Sequence, residues 1–250
     1  MSSPAVAIVT GAAGGIGAAV ALRLAQGGLR LMITDVDEAG LRAVAAKVTP
    51  GQVLIAPGDL TETGFPVRLL ETTLRECGSV DALVNCVGWL RDQRVENMPP
   101  ELFRRLLEVN LIAPVRLMEA VLPHMGKQQF GRIVTLTSRA WLGTFGSSGY
   151  SAAKGGLVGV SRSLALAWAK YGVTVNCIAP GFIDTPMTRS MPPNIVERLI
   201  DAIPVGRSGT VDDISALVAY LIGRESGYIT GQTIVSCGGR SITDPIAKKS

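Results

Sequence analysis

Tyr150 and Lys154 stand four positions apart in the run Tyr150-Ser151-Ala152-Ala153-Lys154. That spacing is about one helical turn, so on a helix both side chains leave from the same face. A tyrosine hydroxyl titrates near pH 10 and is a poor acid or base at neutrality. An ammonium group beside it favours the phenolate and is expected to lower that value. The pair is therefore a candidate proton-transfer device. The same spacing is common on solvated helix faces, so its meaning depends on what surrounds it.

A second group of residues is suited to phosphate. Thr10-Gly11-Ala12-Ala13-Gly14-Gly15-Ile16-Gly17 joins an apolar run to a helical pattern. Glycines permit a tight turn and a close backbone approach to a pyrophosphate. The start of the helix adds unpaired N–H groups and positive dipole character. Gly11, Gly14, Gly15, Ile16 and Gly17 are the candidate cradle. Asp35 ends the next apolar run, 18 residues past Gly17. A carboxylate there can accept hydrogen bonds from an adenosine ribose diol. It would repel a 2′-phosphate, and Val36 offers no compensating cation. Arg30 begins the same run and lies too far back along an extended segment to do so. NAD is expected over NADP.

The elements that must position these groups alternate regularly. Strands are expected at residues 5–10, 29–34, 53–56, 81–85, 132–137, 173–178 and 232–236. Helices are expected at 15–26, 38–48, 62–76, 100–109, 111–125, 150–171 and 211–222. Short apolar strands separated by helices mark a parallel sheet covered on both faces. The expected α/β architecture is a doubly wound, Rossmann-type sheet of seven parallel strands. No linker or fixed-period repeat divides the 250 residues, so one domain, 1–250, is expected. The stretch 180–207 has four prolines after Pro180. It reads as irregular, with a candidate substrate flap around 182–207.

Composition narrows the function classes. The chain is 47% hydrophobic and 18% charged, which suits a globular protein with a sizeable core and buried subunit contacts. Its net charge of +4 is scattered, apart from Lys248-Lys249. No basic stripe is interleaved with aromatics, so nucleic acid is not an expected partner. The four cysteines form no C-x-x-C pair, and His124, at a helix end, is the single histidine, so no metal is expected. The N-terminus lacks the charged region of a signal peptide. The most apolar helix-length stretch, 155–169, contains Arg162 and is too short to span a bilayer. No membrane partner and a cytoplasmic location with free thiols are expected.

Several motifs occur in a telling order: Thr10-Gly11-x-x-x-Gly15-Ile16-Gly17, Asn85-Cys86-Val87-Gly88, Asn110, Ser138, Tyr150-x-x-x-Lys154 and Pro180-Gly181. From Val6 to Gly239 the chain resembles a short-chain dehydrogenase/reductase (SDR) of the classical type. The resemblance implies hydride transfer between a secondary alcohol or ketone and nicotinamide. It implies that Tyr150 is the general acid/base, and that Lys154 lowers its pKa and holds the nicotinamide ribose. Ser138 would bond the substrate oxygen. Asn110, at a break between helices, would position a proton-relaying water.

Further cofactor contacts are implied for Asp59 and Leu60 at the adenine, and for Asn85 and Gly88 beside the central sheet. Pro180, Gly181, Ile183 and Thr185 would meet the carboxamide and phosphate end. A homo-oligomer, dimer or tetramer, is implied too. The apolar stripe Leu157, Val160, Leu164, Leu166 and Trp168 would then be a subunit contact, although periodicity alone reads it as core. The chain departs from the family pattern at Cys86-Val87, where Asn-Ala is usual, and at Arg139, an unusual neighbour for the serine.

Trp89, Trp141, Phe145, Met187 and Met191 follow strands at their carboxyl ends, where ligands of such sheets sit. They are candidates for an apolar substrate pocket, with Arg91, Arg94 and Arg139 at the rim to meet an acidic group. The expected substrate is an apolar, cyclic or aromatic secondary alcohol or ketone. A 3-oxoacyl thioester of acyl-carrier protein or coenzyme A is the alternative. A non-catalytic nucleotide-binding protein would have lost a catalytic position, and Asn110, Ser138, Tyr150 and Lys154 are all present.

Overall fold

The computed structural model describes residues 5–242. The calls on Lys248-Lys249 and on the extreme N-terminus lie outside the described residues. Val6–Thr10 (β1) is buried at every position. A strand covered on both faces has no reason to alternate polar with apolar residues, which explains the unbroken Val-Ala-Ile-Val run. Arg30–Thr34 (β2), Val53–Ile55 (β3), Ala82–Asn85 (β4), Gly131–Leu136 (β5), Val173–Pro180 (β6) and Thr233–Ser236 (β7) complete the strands. Among the described residues they form one parallel sheet in the order β3-β2-β1-β4-β5-β6-β7.

Helices cross between the strands: Gly15–Gln26 (α1), Glu38–Ala45 (α2), Phe65–Cys77 (α3), Pro100–Leu107 (α4), Ala113–Lys127 (α5), Ser148–Trp168 (α6), Pro186–Arg189 (α7), Pro193–Asp201 (α8) and Val211–Ile222 (α9). Ala7 and Val9 of β1 pack into the layer built by α1, α2 and α9. Ile8 packs into the opposite layer of α3, α5 and α6. The period-2 geometry of the strand thus serves two cores at once. The expected doubly wound, helix-covered sheet is the observed fold. Among the described residues no helix is long and apolar enough to cross a membrane.

The structure departs from expectation in three places. The stretch 182–207 is more regular than its prolines suggest. Pro186 and Pro193 each sit in the first turn of a helix, where a missing N–H is harmless. Second, α4 does not simply break before α5. The five residues Glu108–Ile112 form a wide π-type turn that keeps the chain helical. Third, the apolar stripe of α6 divides. Leu157 is buried, Val160, Leu164 and Trp168 pack against its core, and Leu166 is 85% exposed. His124 lies half-buried in the last turn of α5.

Close packing of the first crossover turns on Gly17 in α1. A Cβ there would collide with the Gly11 carbonyl oxygen, a backbone atom that cannot rotate away. Gly17→Ala is expected to lower stability by about 1–3 kcal/mol through overpacking. Urea unfolding measures this directly, and an unchanged midpoint would contradict the packing.

Candidate active site

The sheet order reverses between β1 and β4, the place where doubly wound sheets open a ligand crevice. The carboxyl ends of β1, β2, β4, β5 and β6 border a cleft of about 880 Å³ there. Gly11 has φ +62°, and a Cβ on it would come within 2.9 Å of the Cys86 carbonyl carbon. The two loops are also tied by Thr10, whose Oγ1 accepts from the N–H groups of Cys86 (3.1 Å) and Val87 (3.4 Å).

α1 starts at the cleft with Gly14 as its cap. It has no side-chain cap and no acidic residue in its first turn, and no atom lies within 4 Å of a Cβ placed on Gly14. Its first N–H groups are thus left for an anion, which fits a cofactor pyrophosphate. Asp35 sits beside this loop. Its Oδ2 accepts from the Ala13 N–H (3.2 Å) and its Oδ1 from the Asp37 N–H (3.1 Å). Val36 next to it is exposed, and Arg30 is at the far end of β2, paired with Val6.

The other end of the cleft holds the titratable groups. Ser138 follows β5 and caps a short 3₁₀ turn, its Oγ accepting from the Ala140 N–H at 3.1 Å. Tyr150 and Lys154 occupy successive turns of α6. Lys154 is 2% exposed and its Nζ donates to the Leu136 carbonyl at 2.9 Å, fastening α6 to the end of β5. A Cβ on Gly88 would stand 3.6 Å from both Lys154 Nζ and Asn110 Oδ1. Burial pushes the Lys154 amine down to about 8, although nearby Cys177 and Cys86 act the other way. Cys86 itself is pushed up to about 12 by burial, so it is an inert thiol.

These features have close counterparts. The family model described as enoyl-(acyl carrier protein) reductase matches residues 11–241. The chain is a short-chain dehydrogenase/reductase. It is 37% identical over 239 residues to the (2S)-[(R)-hydroxy(phenyl)methyl]succinyl-CoA dehydrogenase subunit BbsD of Thauera aromatica, covering 95% of this chain and 96% of that one. It is 39% identical over 238 residues to the 3-oxoacyl-[acyl-carrier-protein] reductase FabG of Escherichia coli, covering 94% and 96%. The crystal structure of levodione reductase superposes with a TM-score of 0.93 at 30% identity, covering 98% of this chain and 100% of that one. As an SDR the chain is an oxidoreductase that uses a nicotinamide cofactor.

Within this SDR, Gly11, Gly14, Gly15, Ile16, Gly17, Asp35, Asp59, Leu60, Gly88, Trp89, Ser138, Tyr150, Lys154, Pro180, Gly181, Ile183 and Thr185 all line the cleft. Asn85 and Asn110 stand behind it. Asn85 Nδ2 donates to Thr135 Oγ1 (3.4 Å) across β4 and β5. Asn110 accepts from the Trp89 N–H (2.9 Å) and donates to the Trp89 (2.8 Å) and Leu106 (3.0 Å) carbonyls. It therefore clamps the loop after β4 onto the π-type turn.

Of the candidate substrate residues, Trp89 lines the cleft and several others do not. Arg139, Trp141, Phe145 and Met191 are not among the residues bordering the cleft. Phe145 is 87% exposed, under the Arg94 guanidinium, which pairs with Glu96. Met191 and Trp141 are half-buried. The side chain of Met187 lies outside the described residues.

One electrostatic expectation is corrected. Tyr150 titrates above its ordinary value, not below it. Burial is the main cause, a hydrogen bond from Ser138 works against it, and the charge of Asp92 adds to it. Lys154 Nζ lies 5.6 Å from the Tyr150 ring centre and is occupied by the Leu136 carbonyl, so desolvation wins over the helix-face pairing.

Several cleft residues carried no local signal, among them Thr61, Arg105, Thr137 and Thr188. Arg105 of α4 reaches Thr61 Oγ1 (3.1 Å) and Asp59 (3.5 Å), while Asp59 also accepts from Thr61. Burial pushes the Asp59 carboxyl up, but the Thr61 bonds and Arg105 together bring it below its usual value.

Lys154 gives a pH signature. Its folded value of about 8 lies below the unfolded 10.5, so between them the unfolded chain holds more protons and stability rises with pH. Lys154→Met is expected to flatten that rise in urea unfolding followed across alkaline pH. An identical slope in the variant would contradict the buried amine.

Proposed function

We propose that the protein is an NAD(H)-dependent oxidoreductase interconverting an apolar, cyclic or aromatic secondary alcohol and its ketone. The observation that carries this reading is a single cleft with Ser138, Tyr150 and Lys154 at one end and an anion-binding helix start with Asp35 at the other. The nicotinamide accepts or supplies the hydride when bound. Tyr150 takes the proton of the alcohol hydroxyl during oxidation and returns it during reduction. Its raised pKa keeps the hydroxyl protonated at neutral pH, so the free protein is prepared to act as an acid on a ketone. Ser138 holds the reacting oxygen beside it.

Lys154 holds the nicotinamide ribose and, while protonated, favours the phenolate. Asn110 keeps Gly88 and Trp89 in place behind Lys154 and positions the water that relays its proton. Asp35 supports NAD over NADP, since its carboxylate repels a 2′-phosphate and the exposed Val36 after it brings no cation. A cytoplasmic dimer or tetramer completes the reading, supported by four free thiols and by the exposed Leu166 of α6.

A second reading is favoured by two of the named relatives, whose names give acyl thioesters as substrates. In it the substrate is a 3-oxoacyl or 3-hydroxyacyl thioester of acyl-carrier protein or coenzyme A. Acetoacetyl-CoA and a panel of apolar secondary alcohols, each with NAD(H) and NADP(H), separate the two by absorbance of the reduced nicotinamide. NAD(H) is expected to be preferred by about 10-fold or more in kcat/KM, and preference for NADP(H) would overturn the cofactor reading.

The site predicts its own mutants. Tyr150→Phe is expected to lower kcat by about 10²–10⁴-fold with cofactor affinity retained. Lys154→Met is expected to reduce both rate and cofactor affinity. Steady-state kinetics with fluorescence titration of the cofactor distinguish the two, and full activity in Tyr150→Phe would overturn the assignment.

A further inference from the structure

We propose that Arg105 of α4 is a binding residue for the adenine end of the dinucleotide, its guanidinium lying flat against the purine that Asp59 and Leu60 receive. This rests on the reading of the cleft as a nucleotide site and adds to it a contact from a remote helix.

Gly58, Asp59 and Leu60 follow β3 and line the cleft. The Gly58 N–H donates to the Asp35 carbonyl at 2.9 Å, which sets Asp59 beside the carboxylate read as the ribose partner. Leu60 is buried and gives this end an apolar surface. Arg105 and Val109, four positions apart, also line the cleft, so one face of α4 and the turn after it forms a wall there. Arg105 Nη1 donates to Thr61 Oγ1 at 3.1 Å, and its Nη2 lies 3.5 Å from Asp59 Oδ2.

The N–H bonds of a guanidinium lie in its plane, so partners at the edge fix its orientation and leave its faces bare. The arginines that stack on rings among the described residues are Arg68, Arg94, Arg132 and Arg224, so no ring covers Arg105. An ion pair this long, with both side chains about half-exposed, contributes little to folding. The carboxylate also keeps spare capacity. Asp59 Oδ1 already accepts from the Thr61 N–H and hydroxyl at 2.8 Å each, whereas Oδ2 has only the long contact to Arg105. Oδ2 can therefore accept from the exocyclic amino group of adenine. A planar cation fixed beside that acceptor is suited to stacking on the face of the purine.

The test is calorimetric binding of ADP-ribose, which carries the adenine, and of nicotinamide mononucleotide, which does not. Arg105→Met keeps the apolar stem and removes the flat cation. It is expected to weaken ADP-ribose by about 3- to 30-fold, the range of a cation set over a ring, and to leave nicotinamide mononucleotide unchanged. Arg105→Lys should recover only part of the loss, because a point charge has no planar face. The loss should persist at raised salt, where a long-range attraction between exposed charges is screened. Equal weakening of both fragments would mark a structural role and overturn the contact. So would ADP-ribose binding that is unchanged or tighter in Arg105→Met, or a loss that disappears in salt. Failure of the wild type to bind ADP-ribose would overturn the contact together with the nucleotide reading. Selective loss of ADP-ribose binding in Arg105→Met supports the contact even if no alcohol is oxidised, an outcome that would reject only the proposed reaction.

Discussion

Parallel strands cannot be joined by tight turns. Each must be followed by a crossover before its neighbour begins. Every strand of this sheet therefore ends at the same edge, and every loop that leaves a carboxyl end is delivered there. Because the order runs β3-β2-β1-β4-β5-β6-β7, the crossovers from β1 and β4 diverge to opposite faces and leave a gap between them. The glycine loop, Asp35, Ser138 and the Pro180-Gly181 bend are far apart in sequence and share this edge for that one reason. The Thr10 bonds to Cys86 and Val87 keep the gap at a fixed width.

Burial then sets the chemistry within the gap. Lys154 is withdrawn from water to fasten α6 onto β5, and the withdrawal lowers its own affinity for a proton. Tyr150, half-buried one turn earlier, moves the opposite way. Both shifts disfavour charge, as desolvation requires. The helix spacing of the pair suggested mutual stabilisation of ammonium and phenolate. In the free protein each group responds first to its apolar surroundings.

Much of this was legible because it depends on local pattern. Apolar runs gave strands, glycines at a strand–helix junction gave the phosphate loop, and Asn110 stands in a π-type turn where a helix break was expected. The proline-rich stretch misled because prolines were read as breakers. Pro186 and Pro193 fall in first helical turns, where they are compatible with helix. The aromatic candidates divide: Trp89 lines the cleft, whereas Trp141 and Phe145 are not among the residues bordering it. Following a strand places a residue near the edge, but side-chain direction decides whether it faces the cleft. Phe145 points outward beneath Arg94. Arg105 shows the converse, since its partners Asp59 and Thr61 lie more than 40 positions away and no spacing rule connects them.

The sequence by itself determined the element types, their order, the glycine loop and the presence of a serine, a tyrosine and a lysine in a fixed succession. These follow from hydrophobic periodicity and backbone permissiveness, which act over a few residues. Tertiary structure decided which groups meet, how dry each one is, and therefore where it titrates. It put Arg105 over Asp59 and tied Lys154 to Leu136. Those outcomes depend on desolvation and on distances between remote segments, and both exist only after the sheet has formed.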